Sequence, residues 1–217
     1  MLFDLFKKQN KKSPTKTRKK KEWYEIELER MTKEEKAVDK ELGEFGTIRD
    51  DYEDGKDVQE CISRAETLLS SDVKWNKAKV WLFLVGVYKK TDNNKAWETL
   101  QRFHKYIMES DYPIENKLAC EMDIYYEEFK ISRQEKRYKD ALCYLAQYYV
   151  LRSGMERGDD FYIDRFSKEA RTTAKGLGLS DEQLNDLATR ISRIRKSKNI
   201  ANDARKVYLD WIKNIFD

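Results

Sequence analysis

Asp57-Val58-Gln59-Glu60-Cys61-Ile62-Ser63-Arg64-Ala65-Glu66-Thr67-Leu68-Leu69 is the stretch that decides the fold. Val58, Cys61, Ile62, Ala65, Leu68 and Leu69 recur at i, i+3, i+4 and i+7, the spacing that lines one face of an α-helix. Polar and charged residues fill the opposite face. A half-buried strand would alternate apolar and polar residues one by one, and this stretch does not.

The same period continues downstream. Asp72 is placed to cap a helix through Trp75, Ala78, Trp81, Leu82, Leu84, Val85 and Tyr88, and its segment 80–88 is apolar nearly all round, the mark of a helix packed on two sides. Thr91-Asp92-Asn93-Asn94 reads as a tight connection. Ala96, Trp97, Leu100, Phe103, Ile107 and Met108 form the next stripe. Asp111-Tyr112-Pro113 breaks it, with Pro113 suited to the first turn of a further helix. That helix carries Ile114, Leu118, Met122, Tyr125 and Phe129. A turn near 134–137 leads to Tyr138, Ala141, Leu142, Leu145, Tyr148 and Tyr149. Gly154 and Gly158 bracket a loop, Phe161, Phe166, Ala170 and Ala174 mark another helix, and Gly176 with Gly178 stops it. Ser180 with Gln183 makes a capping box for a long final helix or helix pair over 181–216. Upstream, Thr32 with Glu35 makes a second capping box before Ala37, Val38 and Leu42, and Gly43 and Gly46 are expected to end that helix.

Composition agrees. The 217 residues include only 8 Gly and 2 Pro, too few for the turns of an all-β protein. A 40% apolar share with 13 Tyr, 9 Phe and 5 Trp suffices for a core. The fold expectation is therefore all-α, made of antiparallel helical hairpins, because turns this short force neighbouring helices to reverse. Residues 22–217 form the helical domain, with candidate helical repeats over 57–175, and residues 1–21 form a separate basic tail.

Trp81-x-x-Leu84 followed by Tyr88, a polar turn and Ala96 resembles the tetratricopeptide pattern, and Arg137-Tyr138-Lys139-Asp140-Ala141-Leu142 is similar to that family's turn and second-helix start. The resemblance covers residues 72–153 and implies a divergent array of helical hairpins. Gly86 is displaced from the family's position, and the step from Tyr88 to Ala96 is one residue short. Helix starts near Trp75, Ile114 and Asp159 lie roughly 39 and 45 residues apart, longer than the ~34 of that family. An irregular helical bundle shares the same periodicity and stands as the alternative.

Catalytic chemistry finds little to work with. His104 is the lone histidine, and it lies beside Phe103 on an amphipathic stripe. Cys61, Cys120 and Cys143 lack metal-ligand spacing and sit on apolar faces, as small buried hydrophobes of a reducing compartment do. No phosphate-cradling glycine loop or nucleophile elbow is present. Neither a cofactor nor a metal is expected, and the chain reads as nonenzymatic. No apolar run approaches the ~20 residues of a membrane span, and apolar residues precede the first charges, the reverse of signal-peptide order. The expected location is cytoplasmic.

Charge divides the chain. Lys7 to Lys21 carry nine Lys or Arg and no acid. With Asp4 counted, residues 1–21 hold +8 of a total of +4, so the remainder carries −4. A tail of this kind seeks phosphate, anionic lipid or an acidic protein surface. Its apolar cap, Leu2, Phe3, Leu5 and Phe6, and the lysines Lys19, Lys20 and Lys21 are candidate partner contacts. They suit docking in a partner's groove, weak and reversible contact with an anionic membrane, or nonspecific nucleic-acid contact. A solubilising leader is the plain alternative.

On the body, Trp97, Tyr126, Arg137 and Tyr149 are the candidate partner-binding residues. Tyr125 and Tyr148 are expected to face the core, with Tyr126 and Tyr149 about 100° away, where they either belong to a wide core whose hydroxyls reach solvent at its rim or line an inner surface that receives a peptide. Arg190, Arg193, Lys196 and Lys198 form a second basic patch, a candidate for phosphate contact. The functional expectation is a protein-interaction scaffold, adaptor or inhibitor acting through a helical surface. A nucleic-acid-binding accessory protein is the first alternative and a peripheral membrane protein the second.

Overall fold

A computed structural model describes residues 31–155, 159–194 and 199–216. All regular structure among them is α-helical. The chain divides into two compact units, Met1–Asn76 and Lys77–Asp217.

The first unit pairs α1 (Lys33–Glu53) with α2 (Val58–Ser70). The Thr32–Glu35 capping box forms on both sides: Glu35 N donates to Thr32 Oγ1 at 3.2 Å and Thr32 N donates to Glu35 Oε2 at 2.7 Å. Gly43 and Gly46 do not end α1, contrary to the sequence expectation; they lie inside it. A mid-helix glycine costs only about 1 kcal/mol, and burial of Phe45 and Ile48 against Cys61, Ile62, Ala65 and Leu68 of α2 outweighs it. Asp57 caps α2 by accepting from Gln59 N and Glu60 N. Arg64 of α2 donates to Glu44 at 2.8 Å and Asp51 at 2.6 Å, both on α1.

Asp72 caps nothing. Residues 71–76 run as irregular chain because Ser71 Oγ and Trp75 Nε1 both donate to the Glu41 carboxylate of α1, which holds this segment away from helical geometry.

The second unit follows the predicted order of hairpins. α3 (Ala78–Thr91) pairs with α4 (Asn93–Glu109), α5 (Ile114–Gln134) with α6 (Tyr138–Met155), and α7 (Asp159–Gly176) with α8 (Asp181–Ser192). Asp92 is both the last cap of α3 and the first cap of α4, accepting from Asn94 N at 3.0 Å and Lys95 N at 3.2 Å. The apolar α3 packs on α4 and also on α5, which accounts for its buried Val80, Trp81, Leu84, Val85 and Val87. Gly178 takes a left-handed φ of 73° to close α7, and the Ser180–Gln183 capping box opens α8 as the sequence implied.

α9 (Ile200–Phe216) returns to pack on α6 and α8. Tyr208 is fully buried and donates its hydroxyl to the Lys139 carbonyl at 2.7 Å, pinning α9 to the start of α6. The core around α6 gathers Phe129, Leu142, Leu145, Phe166, Leu187 and Tyr208. The three cysteines are free and buried, and burial pushes the Cys120 thiol up to about 11 and the Cys143 thiol up to about 12.

Candidate functional site

α5 is flanked by α4 on one side and α6 on the other, so its faces meet different neighbours. Glu121, Tyr125 and Glu128 stand at i, i+4 and i+7 on one face. Trp97 of α4 and Tyr144 of α6 join them: the Trp97 and Tyr144 ring centroids are 6.1 Å apart, and those of Tyr144 and Tyr125 are 6.5 Å apart. All five side chains are half-buried, which leaves an aromatic seam with an accessible edge.

The turn after α5 completes one end. Lys136 adopts a left-handed φ of 59°, and Arg137 N donates back to Ser132 O at 2.8 Å. This reversal sets the Arg137 guanidinium 4.6 Å from the Trp97 ring centroid. Arg137 also donates to Glu135 at 2.8 Å and Asp140 at 3.2 Å, while Trp97 Nε1 donates to Glu135 at 3.3 Å. Two sequence-nominated residues, Trp97 and Arg137, are therefore in direct contact.

Electrostatics in the seam are unusual. Burial among rings raises the Glu128 carboxyl to about 7, against a smaller downward pull from Arg205 and then Arg137. Burial likewise raises Glu121, opposed by His104. Neither carboxylate makes a hydrogen bond or an ion pair among the described residues. Burial also lifts the Tyr144 phenol to about 12 and the Tyr125 phenol in the same direction. Near neutral pH, Glu128 can thus accept from a donor when ionised or donate when protonated.

The other nominated pair forms a closed cluster. Tyr126 and Tyr149 donate to the two oxygens of one carboxylate, Glu169 Oε1 at 2.7 Å and Oε2 at 2.8 Å. Tyr149 is only 2% exposed, its ring edge-on to Phe166 and Tyr148, so it belongs to a wide core and not to an inner surface open to a peptide. The reason is that α7 covers that face of α6 and supplies Glu169 to satisfy the hydroxyl. Tyr126 is half-buried, with Lys130 4.6 Å from its ring centroid. Tyr148 lies in the core as expected, accepting from Arg152 at 2.9 Å, whereas Tyr125 stands at the seam rather than in the core.

Of the second basic patch, Arg190 is paired with Asp186 at 2.8 Å, an acid that also accepts from Trp211 Nε1 at 3.0 Å. Arg193 is exposed at the end of α8. Lys196 and Lys198 lie outside the described residues, as do Leu2, Phe3, Leu5, Phe6, Lys19, Lys20 and Lys21. Among the described residues no group of His, Cys, Asp and Glu is arranged to hold a metal, and no helix is long and apolar enough to cross a membrane.

Sequence reasoning missed Glu121, Glu128, Tyr144, Arg205 and Glu169 as site members. The available signal was the i, i+4, i+7 placement of two acids around a tyrosine, which on a solvated helix face would carry no meaning.

No family model matches the chain, and neither a curated protein nor a solved structure does. The functional reading accordingly stands on the geometry of the site.

Proposed function

We propose that the second unit is a nonenzymatic protein-interaction module, a scaffold, adaptor or inhibitor that docks another protein on the seam formed by Trp97, Tyr125, Tyr144, Glu121 and Glu128. One observation carries the reading: half-buried rings stand beside carboxylates that find no partner among the described residues. Buried polar groups in native folds are normally satisfied, and exceptions concentrate where something else binds. Aromatic side chains at an accessible edge also supply most of the energy of protein interfaces. The succession of hairpins is compatible with a divergent tetratricopeptide-like array, which presents its surfaces to proteins.

The test uses full-length protein. Tyr144→Ala, checked for native helix content by circular dichroism, is compared with wild type in the capture of partner proteins. Loss of a partner held by wild type supports the reading. Retention of every wild-type partner refutes it.

A nucleic-acid reading draws on the nine tail cations. The α8 patch adds less, since Arg190 is engaged by Asp186. Under that reading binding to generic DNA or RNA falls steeply with salt and vanishes on deletion of residues 1–21. Absence of binding at low salt refutes it.

A further inference from the structure

Cations already lie over rings at several points in the second unit. Arg137 lies over Trp97 at 4.6 Å, Lys130 over Tyr126 at 4.6 Å and Lys139 over Phe216 at 4.5 Å. Over Tyr125 and Tyr144, the two rings at the centre of the seam, no cation is placed among the described residues. The seam also holds Glu121 and Glu128, whose charges are unmatched at ion-pair distance among the described residues.

We infer that this seam receives a single lysine or arginine side chain from a partner protein, its stem against the Tyr125 and Tyr144 rings and its charge between Glu121 and Glu128. The inference rests on the reading of the seam as a docking face and specifies the chemistry of what docks.

Charge complementarity selects the cation. Arg137 does not neutralise the seam, because Glu135 and Asp140 hold it. Arg205 of α9 acts on Glu128 at longer range, without an ion pair. Glu128 thus faces Arg205 and an Arg137 already engaged by Glu135 and Asp140, while Glu121 is opposed by His104. An anionic segment would meet repulsion, and a purely apolar one would seal two carboxylates away from water without a partner, a costly arrangement. A lysine or arginine answers both features at once, by a charge-assisted hydrogen bond and by ring contact.

The inference fixes a pH dependence. Glu128 is faced by Tyr125 on its own helix, by Arg137, Cys143 and Tyr144 at α6 and by Arg205 on α9, while His104 of α4 faces Glu121. A cation binds the ionised form of Glu128, whose carboxyl titrates near 7 in the free protein. Affinity therefore rises about tenfold between about pH 6 and pH 8 as that form goes from roughly a tenth to roughly nine-tenths of the population.

The experiment titrates full-length protein with a short alanine–glycine peptide bearing one central arginine, and with its citrulline and glutamate counterparts, while the Tyr125 and Tyr144 ring signals are followed by NMR. The expected result is saturable movement of both rings by the arginine peptide, with affinity at least about tenfold above the citrulline peptide. In Glu128→Gln, which keeps shape and removes charge, that preference and the pH dependence both collapse. Equal binding of the citrulline peptide overturns the inference and leaves the docking face standing. Preference for the glutamate peptide overturns it in favour of anion recognition by Arg137 and Arg205. If no peptide moves either ring, the inference falls, and the docking face falls with it only if Tyr144→Ala also keeps every partner of the wild type.

Discussion

Glu128→Gln should make the protein more stable at pH 8 and nearly unchanged at pH 4.5. In the folded chain the carboxyl titrates near 7, chiefly because burial among rings disfavours its charge, against an ordinary value of 4.5. Below pH 4.5 the group is protonated whether the chain is folded or not, and it contributes no penalty. Between pH 4.5 and 7 the unfolded chain releases the proton while the folded chain retains it, so stability falls as pH rises. Above pH 7 both forms are ionised and the penalty is constant. A difference of about 2.5 units, at 1.36 kcal/mol each, sets an upper value of about 3 kcal/mol, and solvent contact at the carboxyl's open edge trims it to about 2 kcal/mol.

Urea denaturation followed by circular dichroism, at a series of pH values from 5 to 8, measures this directly. Glu121 and Asp123 are pushed in the same direction by burial and slope the wild-type curve the same way. The informative quantity is therefore the gap between Glu128→Gln and wild type, which should widen by about 2 kcal/mol across that range. A gap that stays constant, or that narrows as pH rises, would refute the account of a desolvated, unpartnered carboxyl. A carboxyl that costs stability where it is ionised is the trade expected of a binding residue.

Gly176 makes a close approach: a Cβ there would meet the Tyr138 ring at 2.5 Å, so Gly176→Ala should cost about 1–3 kcal/mol in urea denaturation. Gly43 is helical with open space around it, so Gly43→Ala should stabilise the first unit by about 1 kcal/mol in the same assay. Tyr126→Phe and Tyr149→Phe each remove one donor from Glu169 and should cost about 1–3 kcal/mol, with the double variant non-additive because both hydroxyls share one carboxylate. Cys120 and Cys143, buried with their thiols raised to about 11 and about 12, should react with a thiol reagent only after denaturant exposes them; fast labelling of native protein would contradict their placement.

Much of the helical organisation was legible in the sequence because it rests on short-range rules. Both capping boxes, the connection at 91–94, the stop at Gly176 and Gly178 and the burial of all three cysteines follow from spacing and residue type alone. The failures lie where a distant side chain decides. Glu41 of α1, a full helix away in sequence, captures Ser71 and Trp75 and cancels the expected cap at Asp72. Gly43 and Gly46 stay helical because Phe45 and Ile48 are buried.

The site divides in the same way. The contact of Trp97 with Arg137 joins two residues nominated independently, on separate helices. Periodicity leaves Tyr149 between a wide core and an open surface, because it places a residue on a face without saying whether another helix covers that face. Here α7 covers it and brings Glu169. The seam carboxylates were invisible for a related reason: an acid on a helix is solvated by default, and only the packing of α4 and α6 against α5 takes water away from Glu121 and Glu128.

The central claim is that another protein docks on this seam. A photoreactive phenylalanine analogue placed at Tyr144, and separately at the exposed Leu209 of α9, tests it most directly. The account predicts a discrete crosslinked product from position 144, absent from position 209 and suppressed by the arginine-bearing peptide. A product from 209 with none from 144 would contradict it.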